Sequence, residues 1–122
     1  MSDIVKVDIP AKAEHLLVVR LAASGICSRL GMGIEQMEDV KAAVAEACLI
    51  MIHDQAGYRR LGVEFEYSDN LWVNVSGFEP GGESTDDEID ADFSLALLEA
   101  LTEKTTVGDG SVRFKARGGS KR

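Results

Sequence analysis

A chain of 122 residues with 45% apolar side chains is long enough to bury one core and too short for two. Its formal net charge of −8 opposes contact with phosphate, so direct nucleic-acid binding is excluded and a basic or neutral protein surface is the expected partner. No apolar run approaches the roughly 20 residues of a membrane span. Ser2, Asp3 and Lys6 interrupt any apolar leader near Met1, and a cytoplasmic protein is expected.

Ile4 to Ile9 alternates apolar and polar residues and predicts a strand that Pro10 ends. A helix follows from about Ala13 to Leu30. Leu16, Val19, Ala23, Cys27 and Leu30 form its stripe and Arg20 intrudes on it. Gly31-Met32-Gly33 stops that helix. Glu35 to His53 predicts a second, with Met37, Val40, Val44, Ala47, Cys48, Met51 and Ile52 on one face. Cys27 and Cys48 sit among apolar residues without metal-ligand spacing, which predicts buried, reduced thiols.

Gly57 breaks the second helix. Arg60–Tyr67 and Leu71–Ser76 alternate around Ser68-Asp69-Asn70 and predict a hairpin. Gly77 to Asp87 changes composition, and the segment from Glu79 to Asp92 crowds like charge, the pattern of a solvated acidic loop over about 78–88. A third helix is expected from about Glu88 to Lys104. Lys104–Val107 and Ser111–Ala116 flank Gly108-Asp109-Gly110, a second hairpin signal. Residues 1–117 are read as one domain and 118–122 as a disordered basic tail. Helices on one face of a mixed, mostly antiparallel sheet give a two-layer α+β sandwich, whose other sheet face must be hydrated or covered by a partner.

The second helix carries the most informative residues. Glu46 lies off the apolar stripe, with Ile50 one turn later and Asp54 one turn beyond. Either this face packs under another element or it lines a pocket.

The run Val19–Met32 (VRLAASGICSRLGM), followed by Asp39–Cys48 (DVKAAVAEAC), resembles the bacterial anti-sigma factor serine/threonine kinases, small members of the histidine-kinase-like ATPase superfamily. The element order is similar over nearly the whole chain. The resemblance implies a histidine-kinase-like ATPase fold and a homodimer. It implies binding of a sigma factor and of an anti-anti-sigma protein, which such kinases phosphorylate with ATP and Mg²⁺. It places Glu46 at the general-base position and Ile50 at the position of an asparagine that holds Mg²⁺. Gly77-Phe78-Glu79 stands at an Asp-x-Gly motif whose aspartate reads adenine, so Gly77 and Glu79 are its degenerate members. Asp92-Phe93-Ser94 stands at the Gly-x-Gly motif that approaches phosphate, with Asp92 and Ser94 in place of glycines. Arg20 and Arg29 fall on the partner-facing first helix.

Those departures have physical consequences. Mg²⁺ needs oxygen ligands and Ile50 offers none. Gly77 has no carboxylate for an adenine amine, and Asp92 puts negative charge where phosphate would sit. The reading is therefore an anti-sigma-like regulator that binds a sigma factor or its antagonist, with no cofactor and no metal. An active kinase using ATP and Mg²⁺ is the alternative. His53 and Asp54 are read as a solvated helix end or, in the other case, as metal ligands. Without nucleotide, Glu46 is read as making a salt bridge or a hydrogen bond to a neighbouring loop. Arg20 is either a side chain snorkelling along a helix edge or an interface anchor. Trp72 is expected to pack in the sheet.

Overall fold

The computed structural model describes residues 2–82 and 91–118. Strand β1 (Asp3–Pro10) leads through a 3-10 turn, Ala13–His15, into helix α1 (Leu16–Arg29) and helix α2 (Ile34–Ile52). Strands β2 (Arg60–Tyr67) and β3 (Leu71–Phe78) form a hairpin, then helix α3 (Ala91–Leu101) precedes strands β4 (Thr102–Gly108) and β5 (Ser111–Ala116). The sheet order is β1-β2-β3-β5-β4, and all four pairings are antiparallel. The result is an α+β two-layer sandwich, consistent with a histidine-kinase-like ATPase fold.

Two-residue alternation places Leu61, Val63 and Phe65 of β2, Leu71, Val73 and Val75 of β3, and Val112, Phe114 and Ala116 of β5 on one buried face. Val19, Ala23, Ile26 and Cys27 of α1, the α2 stripe and Leu98 of α3 close over it. Each fully buried aliphatic or aromatic side chain contributes about 1.5–3 kcal/mol. Cys27 and Cys48 are free thiols within this layer, and burial pushes them up to about 11 and about 12.

The opposite sheet face is mostly polar and cross-paired, with Ile4 and Phe78 exposed on it. Lys6 meets Glu64 at 3.9 Å, Arg60 meets Asp8 at 2.9 Å and Arg113 meets Glu66 at 3.7 Å. The Arg113 guanidinium also lies 4.5 Å from the Trp72 ring centroid, so Trp72 stands on this half-exposed face rather than in the core. Such pairs stabilise little individually, but they satisfy the face with groups that favour water.

Several boundaries differ from the sequence reading, among them β3, which runs on through Gly77 to Phe78. Pro10 is the last residue of β1 rather than its stop; an edge strand accommodates it because one edge needs no ladder donor. Helix α3 ends at Leu101, where Thr102 turns its hydroxyl back to the Leu98 carbonyl at 2.9 Å and starts β4 at once. Lys104 is thus a strand residue. The expected start of the third helix at Glu88, most of the acidic loop and the tail beyond Gly118 lie outside the described residues.

Candidate functional site

Helix α2 packs on α3 and on β3, and Glu46 sits on its side away from the buried stripe. Oε2 of Glu46 is buried and, among the described residues, accepts no hydrogen bond. Desolvation raises its carboxyl above the ordinary glutamate range. The expected bond to a neighbouring loop is therefore not made by that oxygen within the described residues. Ile50, one turn on, is partly buried against the core.

Asp54 does not continue this row. Helix α2 ends at Ile52, His53 caps it, and Asp54 Oδ1 accepts the Ala56 N–H at 2.8 Å. A short polar side chain just past a helix end bonds its own backbone more readily than it extends the face. Among the described residues, no group of three His, Cys, Asp or Glu side chains is placed to hold a metal ion.

The end of β3 carries the next two positions. Gly77 pairs with Leu61, and its N–H donates to the Gly110 carbonyl at 2.9 Å. Its helix-side space is occupied by Tyr58: a Cβ built on Gly77 would lie 2.6 Å from Tyr58 Cε2, with Cδ2 and Cγ also in collision. Glu79 has φ 55, the left-handed region that suits glycine. The backbone there keeps a shape typical of a glycine motif while the residue is a glutamate. Asp92 is exposed in the first turn of α3, where negative charge favours the helix dipole. Ser94 is buried in the same turn.

Beyond β3 the chain folds back. Gly81 N–H donates to the Ala56 carbonyl at 2.8 Å and Gly82 N–H to the Gly57 carbonyl at 2.7 Å. Arg59 Nη2 donates to the Gly81 carbonyl at 3.3 Å.

Helix α1 presents a separate surface. Leu17, Val18 and Leu21 are 64%, 50% and 62% exposed, too much for core residues. At about 100° per residue, Arg20 and Arg29 lie at the two margins of this exposed face, with Leu17, Leu21 and Ser28 along its centre. No acidic residue occurs within α1. The face is apolar and locally positive, the reverse of the chain as a whole. Sequence reasoning missed these three apolar residues and Tyr58. Their signal was an apolar count too high for one stripe, and a glycine at position 77 where a strand should carry a side chain.

Comparison with known proteins finds sequence relatives. The chain is 40% identical over 76 residues to the serine-protein kinase RsbW of Halalkalibacterium halodurans, an overlap covering 59% of this chain and 46% of that protein. The chain is related to the RsbW serine-protein kinases. An RsbW of Bacillus cereus strain Q1 is 41% identical over 77 residues, covering 59% of this chain and 47% of its own. An RsbW of Bacillus pumilus is 48% identical over 46 residues, covering 38% and 28%. The chain spans about half the length, or less, of these RsbW relatives. No family model matches the chain. No helix among the described residues is long and apolar enough to cross a membrane.

Proposed function

We propose that this protein is an anti-sigma-factor-like regulator of transcription that acts by surface contact with a sigma factor or an anti-anti-sigma protein, without ATP. The observation that carries the reading is the exposed α1 face, with Leu17, Val18 and Leu21 outward, Arg20 beside them and Arg29 about two turns further along. Exposed contiguous apolar side chains flanked by arginine are the composition of a protein interface. The local positive charge favours an acidic partner segment, the opposite of the basic or neutral surface expected from the net charge.

The residues at the nucleotide-motif positions fit ATP and Mg²⁺ poorly. Ile50 supplies no oxygen for a divalent ion. Tyr58 takes the space beside Gly77 that an adenine-reading carboxylate would need. Asp92 adds negative charge at the first turn of α3, where a phosphate would otherwise meet free backbone amides. The outer edge of β1 pairs with no other described strand, which suits the expected homodimer.

One observation favours the second reading, an active serine kinase. Glu46 is retained with a buried carboxyl oxygen that accepts no bond among the described residues. A general base needs a lone pair that is not already committed to a hydrogen bond.

Co-purification with candidate sigma factors and anti-anti-sigma proteins tests the binding reading. Arg20→Glu and Leu21→Asp should each weaken capture by roughly tenfold or more, as interface anchors do, while leaving circular dichroism unchanged. Full capture by both variants would remove α1 as the docking face. Transfer of label from γ-labelled ATP to a co-purified partner would replace this reading with the kinase.

A further inference from the structure

Tyr58 stands between two residues whose backbone is held. Gly57 N–H donates to the Asp54 carbonyl at 3.0 Å, and Arg59 N–H donates to the carbonyls of Phe78 and Glu79, each at 3.1 Å. The ring is carried by a pinned backbone and packs against the core. It lies across the end of β3 and reaches the β4–β5 turn, where a Cβ on Gly110 would meet its hydroxyl at 3.1 Å. Gly77 lies in a paired strand and its φ is not positive, so no backbone angle requires glycine there. The ring requires it, because any Cβ at that position would stand inside van der Waals contact with Tyr58.

We propose that Tyr58 is the resident occupant of the space at this end of β3, a phenol ring that excludes planar heterocyclic ligands such as a purine, and that Gly77 is glycine in order to admit it; this rests on the nucleotide-free reading above. An intramolecular ring is present at high effective concentration and loses little further freedom on seating. A free heterocycle must expel it and forfeit its core contacts before gaining any of its own. Tyr58 and Gly77 form an exchangeable pair: the ring with glycine, or a side chain at 77 without the ring.

A double-mutant cycle reads that coupling. Gly77→Ala and Tyr58→Ala are made singly and together and unfolded in urea. Gly77→Ala should sharply lower the midpoint of the protein that keeps Tyr58 and barely move that of Tyr58→Ala. Millimolar p-cresol, the deleted ring in free form, should raise the melting temperature of Tyr58→Ala and leave the unaltered protein unmoved. Equal losses in the two backgrounds, or no response to p-cresol, overturn the assignment and leave the nucleotide-free reading standing. Should Gly77→Ala alone fail to fold, folding of the double variant is the supporting result and its failure the opposing one. Heat of binding when Mg-ATP is titrated into the unaltered protein overturns the nucleotide-free reading itself.

Discussion

Gly82 meets Gly57 backbone to backbone. The Gly82 N–H donates to the Gly57 carbonyl at 2.7 Å, and the Gly82 carbonyl occupies the place where a Gly57 side chain would begin. This contact, with the Gly81 to Ala56 bond beside it, ties the segment leaving β3 to the segment leaving α2. Gly57 adopts φ +63, so two separate constraints select glycine at that position.

Gly57→Ala should therefore destabilise the fold by roughly 2 kcal/mol or more. The left-handed conformation alone costs an L-residue about 1–2 kcal/mol, and the collision with Gly82 adds to it. Urea unfolding of the variant checks the magnitude. A loss below half a kilocalorie, in the range of ordinary surface changes, would mean that the clamp opens freely.

Glu79→Gly should act in the opposite direction. Glu79 holds φ 55 with a full side chain. Glycine relieves strain of about 1–2 kcal/mol but adds unfolded-state entropy of about 0.4–1 kcal/mol. A net gain of some tenths to about 1 kcal/mol is expected, read as a higher urea midpoint with an unchanged slope.

Glu46 should give the fold a pH dependence that Glu46→Gln lacks. Its folded pKa is raised above the usual glutamate value because burial disfavours the carboxylate. Between the unfolded value and the raised folded value, the native state binds more protons than the unfolded chain. Stability from this group is thus full at low pH and falls as pH rises through that interval. The difference in unfolding free energy between the parent and Glu46→Gln, followed from pH 4 to 8, should move against the parent as pH increases. A flat difference would indicate that the carboxylate is well solvated.

Much of the sheet was legible because its signal is local. In β2, β3 and β5 the residue after each buried apolar side chain is exposed or half-exposed, and that two-residue alternation needs no partner to be recognised. The α2 stripe was equally plain, with Val40, Val44, Ala47, Cys48, Met51 and Ile52 all buried where the period put them. Helix α1 was harder. Its buried arc was read correctly, with Val19, Ala23, Cys27 and Leu30 all buried, but nothing in that stripe marked Leu17, Val18 and Leu21 as a second, exposed apolar arc. The placement of Asp54 failed for a different reason: a one-turn step past Ile50 assumed a helix that ends at Ile52, before the Asp54–Ala56 turn.

The sequence by itself determined the order and type of the elements, the antiparallel hairpins and the resemblance to the anti-sigma factor serine/threonine kinases, because these depend on neighbours along the chain. Only the tertiary structure decided that Tyr58 lies over Gly77, that Glu46 keeps a buried oxygen without a described partner, and that α1 turns three apolar side chains and two arginines outward. Each of these depends on segments that meet only when the sheet and helices pack. Steric fit and solvation act across those contacts, and neither leaves a periodic trace in the sequence.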